Sequence, residues 1–385
     1  MAQGTKTVAG LAALLLSSAC ASQSAASSAA GGSSAGPTGA ADRPPAFRVD
    51  AAWPQPLPNA WILGQVSGVA VDADDHVWVL QRPGSLSDDE KGATFRPPVS
   101  KCCAPAPPVL ELDASGKLLR SWGGPGAGYD WPGNEHGIHV DAAGFVWITG
   151  NGEQDGQILK FTRDGKFVLQ IGKVGPQTGN ADTTRLGQAA GVEVDAQAGE
   201  VFVADGYFNR RIIVFDANTG AYKRHWGAYG KPPVDEKPNL RRTEPPTPAQ
   251  LQTFGNPVHC VRVSRDGLVY VCDRLNDRIQ VFKKDGTFVT EFKVEPATLG
   301  NGSVWDIALS RDPGQRFLFI ADGRNNQVLA LSRADGSVVS TTGRSGRYAG
   351  QFHWVHDLAI DGKGSLYAGE VDNGKRVQRF VAGGE

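Results

Sequence analysis

The chain has 385 residues, with 39 Lys and Arg against 40 Asp and Glu and a formal net charge of −1. That balance excludes the broad basic surface that nucleic acid recruits and the acidic tail of a solvating arm, so no nucleic-acid partner is expected. The 49 glycines and the single methionine, Met1, are the composition of a turn-rich β protein, while length alone leaves one large domain or two to three smaller ones open.

Residues 1–20, MAQGTKTVAGLAALLLSSAC, carry a short n-region with Lys6, an apolar run from Val8 to Leu16 and small residues up to Cys20. This is an export signal, too short to remain as a spanning helix, and it directs the chain to the periplasm or cell envelope. The segment Leu16-Ser-Ser-Ala-Cys20 is similar to a bacterial lipobox with its Leu one place too far from the Cys. Lipidation at Cys20 and ordinary cleavage nearby both stand open, and a lipid anchor is the one membrane attachment expected. The Ala/Ser/Gly/Pro-rich run that follows cannot bury a core. Residues 21–50 are therefore assigned to a flexible spacer and 51–385 to the folded domain.

From about Gln65 one pattern returns six times: SGVAVDADDHVWVLQ, HGIHVDAAGFVWITG, AGVEVDAQAGEVFVAD, HCVRVSRDGLVYVCD, WDIALSRDPGQRFLFIAD and HDLAIDGKGSLYAGE. Each is a short apolar strand, a turn and a second apolar strand, and third strands such as RIIVF and RIQVF follow. Four short strands recurring about every 45–70 residues predict propeller blades, because each blade buries its faces only against its neighbours. The fold expected is all-β, a six-bladed β-propeller. The Pro-rich and charged stretches Pro83–Pro108 and Ala228–Gln252 read as loops inserted between strands or blades. Export permits disulfides. Cys260 and Cys272 flank the turn Ser264-Arg-Asp-Gly267 symmetrically and are expected to pair, whereas Cys102 and Cys103 receive no partner.

Aligned on the residue that ends each first strand (Asp72, Asp141, Asp195, Ser264, Ser310, Asp361), the position five residues earlier reads Ser67, His136, Ala190, His259, Trp305 and His356. Histidine occupies alternate repeats. First strands line the channel of a propeller, so His136, His259 and His356 should form a three-fold ring about its axis. Three imidazoles with an open fourth position are the ligand set of a catalytic zinc. His76, His139, His225 and His353 lack this register, and His139 should face away from His136. Second strands return to the same rim, which brings Arg82, Tyr207 and Arg274 there and suggests an anionic substrate that must lose a proton.

At these residues the region from about Gly64 to Phe380 resembles the peptidyl-α-hydroxyglycine α-amidating lyases, propellers of NHL-repeat type. The resemblance is carried by HGI at His136, DGYFNRRI from Asp205, PVH at His259, DRLNDRIQ from Asp273 and HDLAID at His356. It implies zinc on His136, His259 and His356, with Tyr207 as base, Arg82 beside it and Arg274 on the substrate carboxylate. It further implies a structural calcium on Asp357 and the backbone carbonyls of Val69 and Ile138. Trp354 stands where animal members carry Met and is expected to line the substrate pocket, and Phe208 stands where a family disulfide would place Cys. The implied activity is a carbon–nitrogen lyase acting on a small-molecule or peptide substrate with an α-hydroxyglycine group, supplied by a separate hydroxylating enzyme. Two other readings remain: a related small-molecule lyase, such as one cleaving ureidoglycolate, and a non-enzymatic binding propeller of the envelope.

Overall fold

The computed structural model describes residues 43–383; the export segment, Cys20 and residues 21–42 of the expected spacer lie outside them. Six four-stranded antiparallel sheets follow one another along the chain, the six blades of a β-propeller. Their inner strands are Gln65–Val71, Glu135–Val140, Ala189–Asp195, Val258–Val263, Asp306–Leu309 and Val355–Ile360. Among the described residues no helix is long and apolar enough to cross a membrane.

The repeat motif explains how each blade turns its first corner. In the first blade Oδ1 of Asp72 accepts the amides of Asp74 and His76, closing the turn, while Oδ2 accepts from Trp78 Nε1 at 3.0 Å. Asp141 repeats this with Ala143, Phe145 and Trp147, and Asp361 with Lys363, Ser365 and the hydroxyl of Tyr367. A short side chain that satisfies its own turn and also holds a buried aromatic donor fixes where the hairpin ends. Register therefore runs from the Asp back up the inner strand. The apolar clusters between blades draw on two neighbouring sheets at a time; Trp78 and Leu80 of the first blade, for example, pack with Ile138, Ile148 and Phe161 of the second.

The sixth sheet corrects the expected spacer boundary. Phe47–Asp50, assigned to the spacer, is its outermost strand and pairs antiparallel with the end of the chain, Phe47 opposite Ala382 and Asp50 opposite Arg379. Completed by the first described strand, this blade leaves no unpaired edge on Arg376–Ala382. Phe47 also packs edge-on against Phe319, with ring centroids 5.3 Å apart.

The insert Pro83–Pro108 lies between the second and third strands of the first blade, and Ala228–Gln252 lies between the third and fourth blades. Cys260 and Cys272 face each other across the first hairpin of the fourth blade and form the expected disulfide. Cys102 and Cys103, left without a partner by the sequence, are bonded to each other in the first insert.

A chain that begins at Ala51 loses the closing strand, whereas one that begins at Arg43 keeps it. The shorter chain should be less stable by roughly 2–5 kcal/mol, the sum of a few backbone hydrogen bonds and one apolar contact. Equal urea midpoints for the two chains would contradict a closing role for this strand.

Candidate metal centre

The inner strands break step with their neighbours at one repeated place. Pairing shifts register between Val66 and Gly68, Glu135 and Ile138, Ala189 and Gly191, Val258 and Cys260, and Val355 and Asp357. The residues skipped include Ser67, His136, Ala190, His259 and His356. A bulge re-aims a side chain out of the pleat's alternation. The three histidine rings meet with centroids 4.8, 4.8 and 4.9 Å apart. Their ligand atoms lie within 4.8 Å of one another, and all three side chains are buried.

Each ring is oriented by the next blade. Nδ1 of His136 donates to the carbonyl of Ala190 at 2.8 Å, Nδ1 of His259 to that of Trp305 at 2.5 Å, and Nδ1 of His356 to that of Ser67 at 2.8 Å. The acceptors are the same repeat position in the three blades that carry no histidine. With Nδ1 holding the proton, Nε2 is left as the acceptor, the arrangement that fixes a metal-binding imidazole. Burial, followed by the nearby positive groups, pushes all three histidines well below the ordinary range, so they stay neutral. This buried group of three acceptor nitrogens could hold a metal ion.

Tyr207 and Arg274 stand against this group. The Tyr207 hydroxyl lies 2.9 Å from Nε2 of His136 and 3.1 Å from Nε2 of His259, and it accepts from Nη1 of Arg274 at 3.3 Å. Arg274 is 3% exposed, with its guanidinium 4.6 Å from the Trp305 ring and 5.6 Å from the Tyr207 ring, and its Nε is buried without a partner. Arg82 is held by the Glu135 carbonyl at 2.6 Å and Gln65 Oε1 at 2.9 Å. Burial lowers the pKa of both arginines, opposed first by the neighbouring Tyr207.

The loops carrying Tyr207 and Arg274 rest on two buried ion pairs. Asp205 accepts the Gly187 amide, Asn209 Nδ2 and Arg211 Nε. Asp273 accepts the Gly255 amide, Asn276 Nδ2 and Arg278 Nε. An Asp at the end of the second strand, followed by Asn and then Arg, was the visible signal for this support, and the sequence reading gave those residues no role. It likewise missed Gln65, and Trp305, whose indole lies 5.7 Å from the His356 ring and 5.3 Å from that of Trp354. Trp354 adopts a left-handed φ of 53°, rare for a bulky residue, with its amide bonded to Asn326 Oδ1 at 2.6 Å.

The remaining sequence candidates lie elsewhere. His139 pairs with Glu193 at 3.2 Å further along the channel, His353 with Asp372 at 2.8 Å, His225 with Tyr222, and His76 sits in a cluster with Arg163, Asp72 and Glu111. Asp357 is directed away from the histidine group, where its Oδ1 accepts the Val69 amide at 3.2 Å, and Ile138 lines the same lower part of the channel.

No protein-family model matches the sequence. Its homologues are peptidyl-hydroxyglycine amidating enzymes and NHL repeat-containing proteins. The peptidyl-glycine alpha-amidating monooxygenase B of Xenopus laevis is 27% identical over 80% of this chain and 33% of that protein. A probable peptidyl-alpha-hydroxyglycine alpha-amidating lyase of Caenorhabditis elegans is 25% identical over 80% of this chain and 81% of that protein. NHL repeat-containing protein 3 of Mus musculus is 26% identical over 88% and 84%. The chain thus spans about a third of the length of the amidating monooxygenases it matches. A solved streptogramin B lyase superposes with a TM-score of 0.50 at 13% identity, covering 87% of this chain and 98% of that one, which shows the fold alone.

Two outcomes follow from this geometry. His136→Ala, His259→Ala and His356→Ala should each abolish stoichiometric metal uptake measured by elemental analysis, while His139→Ala and His353→Ala retain it; equal loss in the second pair would place the site elsewhere. The second concerns Asp277, which ends the turn carrying Arg274 and accepts the Ser303 amide. Burial pushes its carboxyl from 3.8 up to about 7. Folding therefore retains a proton that the unfolded chain releases, and this group's effect on stability worsens as pH rises from about 4 to about 7 and is flat above. Asp277→Asn keeps the acceptor without the charge, so its advantage in thermal midpoint over the native chain should widen between about pH 5 and about pH 8. A constant difference would contradict the assignment.

Proposed function

We propose that the chain is a zinc-dependent carbon–nitrogen lyase that splits a carbinolamide R–CO–NH–CH(OH)–COO⁻ into the primary amide R–CO–NH₂ and glyoxylate. The observation that carries this reading is the meeting of three acceptor imidazoles, the Tyr207 hydroxyl and an arginine with an unpartnered buried nitrogen. A binding module has no evident use for neutral, pre-oriented histidines beside two desolvated arginines, whereas a lyase for an anion does.

The donor set suits zinc, which is held by nitrogen ligands and, with three of them, keeps one position open. Nε2 of His136, His259 and His356 would hold the zinc, which would supply Lewis acidity for the α-hydroxyl. Tyr207, beside Arg274, acts in its phenolate form and takes the proton of the α-hydroxyl. The electron pair left on oxygen forms the aldehyde carbonyl as the carbon–nitrogen bond breaks, and the proton returns to the amide nitrogen. Arg274 offers its unpartnered Nε and the rest of its fork to the carboxylate, a geometry suited to carboxylate recognition. Arg82 adds a second positive charge near the reacting oxygen. Ser67 Oγ, buried without a partner at the repeat position of the histidines, is a further donor for the substrate. Trp305 and Trp354 form an apolar wall for the R group. The hydroxylated substrate comes from a separate hydroxylating enzyme, and the reaction takes place outside the cytoplasm.

Zinc-loaded protein should release glyoxylate and primary amide in equal amounts from N-acyl-α-hydroxyglycines, and faster than from ureidoglycolate. Tyr207→Phe should keep its metal and lose kcat by about 10²–10⁴, and Arg274→Ala should chiefly raise KM. Absence of glyoxylate from every compound would overturn the activity, and an undiminished Tyr207→Phe would remove Tyr207 as the base.

A further inference from the structure

Below the histidines the same inner strands carry a second polar layer. Asp306 and Asp357 follow Trp305 and His356 by one residue, while His139, Glu193 and Arg262 follow His136, Ala190 and His259 by three. At about 3.3 Å per residue this layer begins directly under the histidines and ends about 10 Å beyond them. At its centre is Arg262. Its Nη2 donates to both carboxylate oxygens of Asp306 at 2.7 and 2.8 Å, its Nε to the Ile307 carbonyl at 2.9 Å and its Nη1 to the Val261 carbonyl at 3.1 Å. Asp306 also accepts the Leu358 amide at 2.9 Å, and Asp357 accepts the Val69 amide at 3.2 Å. Arg262 thus joins the fourth blade to the fifth, Asp306 the fifth to the sixth and Asp357 the sixth to the first. His139 and Glu193 join the second to the third.

This is the work that an axial calcium bound by Asp357, Val69 and Ile138 would perform, and the residues present do not fit that ion. Calcium wants six to eight oxygen ligands. The implied set offers a single carboxylate, Asp357, beside two backbone carbonyls, and the Arg262 guanidinium lies within electrostatic reach of that carboxylate, where it would repel a divalent cation. The positive charge such a site needs is already there in the guanidinium. We infer that Arg262 is the cation that ties the inner strands together in this chain, and that the propeller takes no calcium at Asp357. Burial opposes the charge on Arg262, but Asp306, Asp357 and Glu193 together outweigh it and raise its pKa. A guanidinium forms directional bonds to several strands at once and does not dissociate, so the lock is independent of the ion content of the medium.

The test uses the full exported protein, dialysed exhaustively against calcium-free buffer that contains zinc. Expected are no retained calcium by elemental analysis, no uptake of radioactive calcium at millimolar concentration, and a thermal midpoint unchanged by added calcium. About one calcium per chain, or a midpoint that rises by more than roughly 3 °C on calcium addition, would overturn the inference. Arg262→Met removes the charge and keeps the length. It should unfold at a lower temperature than the native chain and regain part of the difference with calcium, because two facing carboxylates are then left without a cation. A variant as stable as the native chain would equally overturn it. If Arg262→Met does not fold, the calcium measurements on the native chain decide alone.

Discussion

The structure depends on three hydrogen bonds that cross from one blade to the next. Nδ1 of each ring histidine gives its proton to the carbonyl at the matching position of the neighbouring inner strand: Ala190, Trp305 and Ser67. Each bond fixes a tautomer, aims Nε2 and couples two sheets. A buried imidazole whose proton lacked an acceptor would pay an unsatisfied-donor cost of about 1–3 kcal/mol. The three blades without histidine are therefore part of the site, since they supply the carbonyls that make their neighbours' rings usable.

Around that ring the molecule concentrates charge that it must support elsewhere. Arg82 and Arg274 are desolvated beside neutral histidines, an arrangement that favours an anionic guest. Loop residues are usually the mobile part of a site. Here the loops carrying Tyr207 and Arg274 are seated on the Asp205–Arg211 and Asp273–Arg278 pairs, whose side chains are at most 2% exposed. Removing one partner of such a pair leaves a buried charge unmatched and costs about 3–5 kcal/mol. Gly302, at φ 78°, lets another segment pass against the Arg274 carbonyl, where a Cβ would lie 2.0 Å from that oxygen. Arg262 applies the same device lower in the channel: charge held by charge, with backbone carbonyls completing the shell.

The ring of histidines was legible because six copies of one hairpin share a turn whose Asp sets the register, and a residue counted back from that Asp falls on the same level in every blade. Tyr207 and Arg274 were legible from strand direction and motif. Other features depend on contacts that no local pattern records. Phe47–Asp50 is four residues long, and its partner lies at the far end of the chain, so composition alone pointed to a spacer. Trp305 was visible as a repeat position, but its role as a platform for Arg274 arises only when the fourth and fifth blades meet. Arg262 sits three residues beyond a ring histidine, in the fourth repeat; its meaning appears only with Asp306 and Asp357 from two other blades.

X-ray absorption at the zinc edge of the purified, zinc-loaded protein tests the central claim most directly, because it reads the ligands of the ion itself. The account predicts one zinc per chain with three nitrogen ligands at about 2.0–2.1 Å, the distance of imidazole coordination, and one lighter-atom position that changes when a carboxylate-bearing substrate analogue is added. A sulfur ligand, a closed shell of four protein ligands indifferent to the analogue, or no ordered zinc would contradict it.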